Sequence, residues 1–154
     1  MSKATIVIPN INGKGWLKDS IESIYAQTEQ DFDLIVVDNG SARDEAAMLR
    51  ERYPGIKALR SERNLGFAGG NNLGFAAAAG DYLLLLNNDT EVITPNWLEE
   101  MVMYAQQKRV GCVGAKLLYP DDTIQHAGVG FGIGGVAGHL HKYCLLYTSP
   151  SPRD

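Results

Sequence analysis

Two cysteines, Cys112 and Cys144, are all the chain carries in 154 residues, and they form no recognisable disulfide framework. Cys112 sits in the apolar run VGCVG and is expected as a buried thiol. Positive charge is not in excess. A formal net charge of -4 removes the electrostatic case for a nucleic-acid partner. A nucleotide stays open as a small ligand, because a metal ion can neutralise its phosphates. No apolar run approaches the ~18–20 residues that cross a bilayer, so no transmembrane segment is expected. The opening MSKATIVIPN lacks the charged, apolar and small-residue regions of a signal peptide. These absences predict a cytoplasmic protein, whose contact with the inner face of the membrane would be peripheral. The P-loop pattern is missing too. GFGIGG (130–135) satisfies G-x-G-x-x-G, but it lies late and no helix pattern follows it, whereas the dinucleotide fingerprint follows the first strand.

A hydrophobic share of 45% and a charged share of 21% suit a soluble globular chain, and the length allows one domain with a real core. Short apolar runs alternate with helical periods. ATIVI (4–8) precedes Leu17, Ile21 and Ile24. LIVV (34–37) precedes Ala46, Leu49 and Tyr53. IKAL (56–59) precedes the alanine-rich stretch 68–79. LLLL (83–86) precedes Leu98, Met101, Val102 and Ala105, with Thr94 as the expected cap and Pro95 in the first helical position. VGCVGAKLLY (110–119) is the expected fifth strand. The order βαβαβαβαβ predicts an α/β fold: a mostly parallel sheet with helices on both faces. Runs that are apolar throughout suit strands buried on both sides.

Ligands of such sheets sit beyond the carboxyl ends of the strands. Those ends read Pro9-Asn10-Ile11-Asn12, Asp38-Asn39-Gly40-Ser41, Asn64-Leu65-Gly66 and Asn87-Asn88-Asp89-Thr90. Every one is polar or glycine-bearing, and two carry an aspartate. Each also has an ordinary structural reading. Asp38 suits a helix cap near Ser41. NNDTEV suits an Asn/Asp-rich turn. RNLGFAGGNNLG suits a glycine loop and a close-packed helix. His126 suits a structural role as well as a site, and Trp97 suits core packing better than contact with an acceptor. His139 and His141 form an H-x-H pair without a third ligand nearby.

IVIPNINGKGWLKDSIESIYAQT, LIVVDNGS, RNLGFAGGNNLGFAAAAGDYLLLLNNDTEV and KLLYPDDTIQHAG occur in order at natural spacings. Together they resemble family 2 glycosyltransferases of the GT-A (Rossmann-like) fold, particularly the rhamnosyltransferase-like branch, over about residues 4–143. The resemblance implies a UDP- or dTDP-sugar donor, a divalent Mg²⁺ or Mn²⁺, and transfer to a hydroxyl of a saccharide or lipid-linked acceptor in cell-surface polysaccharide synthesis. It places Asp89 in the metal-binding position of an Asp-x-Asp motif whose first carboxylate is replaced by Asn87. Hard divalent ions take oxygen ligands, often one or two carboxylates plus phosphate oxygens. It makes Asp38 the acceptor for the nucleotide base. Pro9, Asn10, Ile11 and Asn12 border the nucleoside. Ile11 stands where many relatives have an aromatic residue, so apolar contact replaces stacking. Asn64, Gly66, Gly70 and Asn72 match the family's glycine stretch, whose amides suit a diphosphate. Arg63 suits a phosphate contact, although a solvated arginine is the commoner case. Asn88 and His126 complete the donor-binding set, His126 at the sugar.

The resemblance also implies that the donor half comes first and the acceptor half, with the general base, comes later. Residues 1–143 therefore read as the nucleotide-sugar-binding part of a GT-A domain that is incomplete at its C-terminus. Residues 144–154, CLLYTSPSPRD, read as a non-native tail, similar to translated sequencing adapter. On this reading the chain binds donor and transfers sugar poorly. Rival readings are a non-catalytic nucleotide-sugar-binding fragment, a nucleotidyltransferase and a nicotinamide oxidoreductase. NINGKGW after the first strand lacks the arginine- and lysine-bearing glycine loop of the nucleotidyltransferase, and the misplaced glycine fingerprint argues against the oxidoreductase.

Overall fold

The computed structural model describes residues 4–28, 30–132 and 135–146. They divide between two compact units, Met1–Glu99 and Glu100–Asp154. The first unit begins with β1 (Ala4–Asn10), α1 (Lys14–Tyr25), β2 (Phe32–Asn39), α2 (Glu45–Arg52), β3 (Lys57–Ser61), α3 (Gly66–Phe75) and β4 (Tyr82–Leu85). The four strands form one sheet in the order β3-β2-β1-β4, and every pair is parallel.

This order dictates which face each helix covers. Parallel crossovers are right-handed because of strand twist. β1, β2 and β3 step in one direction, so α1 and α2 share a face. The chain then returns across the sheet from β3 to β4, which puts α3 on the opposite face. Alternation along the strands agrees. Val7, Ile35 and Val37 form a cluster with Leu59, Leu73, Ala77 and Ala78. Gly74 of α3 lies so close to this cluster that a Cβ there would stand 2.3 Å from Val7 Cγ1. Ile6, Ile8, Leu34 and Val36 point the other way and are buried, as are Leu17, Ile21 and Ile24 of α1 and Ala46 and Leu49 of α2. The parallel sheet with helices on both faces is thus as the alternation predicts.

β4 departs from expectation. LLLL reads as the most buried strand, yet only Leu84 is buried, while Leu83 and Leu85 are 39% and 52% exposed. β4 is the sheet's edge, and β1 is its one neighbour among the described strands. Composition reports what a strand can bury, whereas position in the sheet decides what it does bury.

α4 (Trp97–Ala105) runs across the boundary of the two units. Its start is later than expected. Trp97 N donates to Thr94 O at 3.2 Å, so Thr94 and Pro95 form a turn ahead of the helix. The expected fifth strand is not part of the sheet. Residues 110–116 carry no regular structure, and Gly111 and Gly114 supply no side chains to hold a strand in place. Cys112 is consequently exposed rather than buried.

In the second unit β5 (Leu117–Leu118) pairs antiparallel with β6 (Ile124–His126). β7 (Val129–Phe131) pairs antiparallel with β8 (Ala137–His139). Ile124 is fully buried and makes two backbone hydrogen bonds to the 143–144 segment: its N–H donates to Cys144 O at 2.9 Å and its carbonyl accepts from Tyr143 N at 2.8 Å. Leu145 bridges to Thr123. Cys144 and Leu145, assigned above to a tail, therefore lie along β6. The rest of that tail from residue 147, and Ile133 and Gly134 of the glycine string, lie outside the described residues. No helix among the described residues is long and apolar enough to cross a membrane.

Candidate active site

All four polar strand ends of the first unit meet at one edge of the sheet, and side-chain hydrogen bonds tie them together. The strand order reverses between β1 and β4, which makes their carboxyl ends the switch point where such sheets open a crevice. Asn10 ends β1 there and is 1% exposed. Its Oδ1 accepts from Asn88 Nδ2 at 2.8 Å, across the switch point. Its Nδ2 donates to Glu45 Oε2, at the start of α2. Glu45 Oε2 also accepts from Gly13 N at 3.3 Å. The turn after β1 is close-packed around these groups. A Cβ on Gly13 would stand 1.8 Å from Asn10 Oδ1.

Asn12 has φ 51, a left-handed conformation that asparagine tolerates. Its N–H donates to Ser41 Oγ at 2.9 Å, and its Oδ1 accepts from Ala42 N at 3.0 Å. The end of β1 is thereby laced to the end of β2. Ile11 projects from this turn and is 41% exposed. Pro9 packs on the α3 side, where Gly70 would carry its Cβ 3.4 Å from Pro9 Cβ.

Asp38 is fully buried. Oδ1 accepts from Ser41 N at 2.9 Å, and Oδ2 accepts from Glu45 N at 3.1 Å and from Arg60 Nη1. Burial alone raises its pKa, but the bonds from Ser41 and the Arg60 charge outweigh burial and hold the carboxyl below its ordinary value. Arg60 also donates to Arg43 O at 2.9 Å and Ser41 O at 3.2 Å, and stands 3.5 Å from Asp44 Oδ1. The pair therefore clamps the loop after β2. The cap of α2 is a different residue: Asp44 Oδ1 accepts from Ala47 N at 2.8 Å.

The next residue, Asn39, organises the glycine stretch. Its Nδ2 donates to Asn64 Oδ1 at 3.2 Å and to Gly66 O at 3.0 Å, and its Oδ1 accepts from Leu65 N at 3.0 Å. Asn64 Oδ1 accepts from Gly66 N at 2.8 Å. Gly40 is required here twice over. Its φ is +85, and a Cβ would lie 2.6 Å from the backbone of Arg63 and Asn64. Gly66 also has positive φ, 73, at the start of α3. Of the two adjacent asparagines in α3, Asn71 is buried and bonds to Phe67 O at 3.0 Å, while Asn72 is exposed.

Asn87 and Asp89 are exposed, beside the anchored Asn88. Thr90 N donates to Asn87 O at 3.4 Å, closing the turn. Among the described residues no group of three or more His, Cys, Asp or Glu could hold a metal ion. Asp89 with the neutral oxygen of Asn87 is an all-oxygen donor set, the hard chemistry that Mg²⁺ and Mn²⁺ accept when phosphate oxygens complete the shell.

The structure thus brings Pro9, Asn10, Ile11, Asn12, Asp38, Asn64, Gly66, Gly70, Asn87, Asn88 and Asp89 to the same edge. His126 belongs to the second unit. Its Nδ1 lies 3.0 Å from Nδ1 of His139, so one ring donates and the other accepts. The rings meet edge-on. The H-x-H partners are thus parted: His139 faces His126, and His141 sits in a turn with φ 55. Glu45, Arg60 and Gly13 carry the network and were not singled out above, and Asn39 was named only as part of a polar strand end. A carboxylate in the first turn of a helix and a polar residue following a strand aspartate are too common in sequence to mark a site.

The comparisons with known proteins agree with this architecture. The chain is 45% identical over 148 residues to the protein y4gI of Sinorhizobium fredii, covering 93% of this chain and 16% of that protein. It is 40% identical over 140 residues to the O-antigen biosynthesis protein RfbC of Myxococcus xanthus, covering 89% of this chain and 11% of that protein. The chain therefore spans less than a fifth of the length of either relative. Among solved structures, the mannosyltransferase PcManGT of Pyrobaculum calidifontis, in complex with GDP-Man and Mn²⁺, superposes with a TM-score of 0.69 at 20% identity, over 78% of this chain and 36% of that one. TarS (residues 1–349) of S. aureus in complex with UDP-GlcNAc gives 0.59 at 23% identity, over 67% and 31%. The fold is the GT-A fold of these enzymes. The model of glycosyl transferase family 2 matches residues 5–130, and the chain belongs to that family.

Proposed function

We propose that the first unit binds a nucleotide-diphospho-sugar, a UDP- or dTDP-sugar, together with Mg²⁺ or Mn²⁺, and that the whole protein transfers its hexosyl or rhamnosyl group to a hydroxyl of a saccharide or lipid-linked acceptor in polysaccharide synthesis. The observation that carries this reading is the Asn10–Asn88 bond at the switch point, which anchors the turn presenting Asp89. The family membership supports it, as do the nucleotide-sugars bound by PcManGT and TarS. Asp89, with Asn87, would hold the metal. A divalent ion there would offset the charge of the departing nucleoside diphosphate. The backbone around Gly66 and Gly70 suits the diphosphate, and the Ile11–Asn12 turn the nucleoside. Asp38 acts on this reading by holding the loop that borders the base.

The reaction is a single displacement with inversion. The acceptor oxygen bonds to the anomeric carbon as the bond to the diphosphate oxygen breaks. The hydroxyl proton passes to a carboxylate base, a role assigned to no residue of this chain. Association with the inner face of the membrane belongs to the same proposal and would be peripheral.

Isothermal titration of the chain with UDP and dTDP, with and without Mn²⁺, tests the reading. Binding that strengthens with Mn²⁺ and loses that increment in Asp89→Ala is expected. Asp89 is exposed, so this substitution leaves the fold intact. Nucleotide binding indifferent to Mn²⁺ and to Asp89, or a preference for NADH, would reject it.

A further inference from the structure

We propose that Glu45 is a positioning residue for the Asp89 turn, acting through the buried amide of Asn10 and the side chain of Asn88; the proposal rests on the donor-site reading above. The argument concerns hydrogen-bond polarity. An ionised carboxylate only accepts, whereas an asparagine amide both donates and accepts and can invert by half a turn. Glu45 Oε2 receives Asn10 Nδ2, which fixes the direction of that amide. Asn10 Oδ1 must then face the other way, where it receives Asn88 Nδ2 at 2.8 Å. The relay runs Asn88 to Asn10 to Glu45, from the end of β4 to the start of α2. With the carboxylate gone, Asn10 can invert. Its Nδ2 would then oppose Asn88 Nδ2, donor against donor, and the turn carrying Asp89 would lose its anchor.

Helix stability does not explain Glu45 in this place. Asp44 already caps α2, accepting from Ala47 N, and the backbone N–H of Glu45 is held by Asp38. The side chain instead spends its Oε2 on two donors of the β1–α1 turn, Asn10 Nδ2 and Gly13 N. Asn10 Oδ1 sits in the space that a Cβ on residue 13 would need, so the amide is packed directly against the β1–α1 turn. Asn10 is 1% exposed, so water cannot replace the missing acceptor without rearrangement.

The test compares Glu45→Asp, Glu45→Gln, Glu45→Ala, Asn88→Ala and the Glu45→Ala/Asn88→Ala pair. Glu45→Asp keeps the negative charge in the first turn of α2 but shortens the arm by one methylene, so it separates positioning from helix stability. Titration with Mn²⁺ and UDP is expected to show about tenfold weaker binding in Glu45→Asp and Glu45→Ala, the low end of the loss when support of a metal ligand is removed, because Glu45 acts through Asn10 and Asn88. Glu45→Gln still offers an acceptor oxygen and should stay within about threefold of the parent. The double variant should bind no more weakly than Glu45→Ala, because both changes break one relay. Hydrogen exchange of the Asn88 side-chain amide, followed by NMR without nucleotide, should quicken about tenfold in Glu45→Asp.

A parent chain that binds no Mn²⁺–UDP would overturn the donor-site reading, and with it the role assigned to Glu45. The amide exchange still tests the relay in that case. A parent chain that binds, with Glu45→Asp and Glu45→Ala unaffected or with additive losses in the double variant, would overturn the positioning role alone. Unchanged exchange at Asn88 would overturn the relay itself.

Discussion

Replacing Gly13 by alanine sets two effects of opposite sign against each other. Gly13 has φ -70 and ψ -13, a conformation alanine adopts without strain. By backbone entropy alone, the substitution should stabilise the chain by ~0.4–1 kcal/mol. The local packing says otherwise. The new Cβ would lie 1.8 Å from Asn10 Oδ1, 2.9 Å from Asn10 Cγ and 3.1 Å from Asn88 Nδ2. Asn10 is buried and its amide is engaged at both ends, by Glu45 and by Asn88. Displacing it breaks both bonds, and each buried polar group left unsatisfied costs about 1–3 kcal/mol. The loss outweighs the gain, and the net destabilisation is about 2–3 kcal/mol. With a urea slope of about 2 kcal/mol/M, the unfolding midpoint should fall by about 1–1.5 M. Equilibrium urea unfolding followed by tryptophan fluorescence measures it. Gly15→Ala is the control, since a Cβ there meets nothing within 4 Å. Inside α1 it should raise stability by about 0.5–1 kcal/mol. A Gly13→Ala midpoint equal to or above the parent's would refute the packing argument and the relay that depends on it.

Arg60→Ala leaves the buried Asp38 carboxylate without its cation and should destabilise by about 3 kcal/mol, the low end for a broken buried pair because Arg60 is partly exposed. Arg60→Lys should recover less than half of that in thermal unfolding, since one ammonium cannot also reach the carbonyls of Ser41 and Arg43. Because the Asp38 pKa is depressed in the fold, its contribution is complete above the unfolded value of ~3.9 and drains away as pH falls through the folded value below it. Urea midpoints measured downward from pH 5 should therefore fall less steeply in Asp38→Asn than in the parent, although the variant starts lower; parallel curves would contradict the sign. Asn39→Ala removes three hydrogen bonds to the 64–66 loop, and amide exchange at Leu65 should quicken while the midpoint drops by a change worth about 2 kcal/mol.

The alternation of apolar runs with helical periods carried most of the fold. ATIVI and LIVV became the central strands β1 and β2, because a run apolar on both sides is stable only between two layers of helix, while IKAL became β3 at an edge of the sheet, a strand in which only Ala58 is buried. The same logic misjudged the later part. LLLL became an edge strand, and VGCVGAKLLY contributed only Leu117–Leu118, to a different pairing. Strand composition does not state how many neighbours a strand has. The candidate site was legible as positions, since the polar ends of β1 to β4 follow from strand order alone. Its wiring was not. Glu45 and Arg60 lie 35 and 22 residues from the partners they hold, Asn10 and Asp38. Nothing local in the chain distinguishes them from surface charges.

By itself the sequence determined the parallel sheet, the two-sided cover of helices and the four polar loops at one edge, because periodicity and punctuation are local properties of the chain. Only the tertiary structure decided which groups those loops spend on one another: Asp38 turned inward to Arg60, Asn10 locked between Glu45 and Asn88, His126 set against His139. A hydrogen bond depends on distance and direction, and those are settled when the strands are laid side by side.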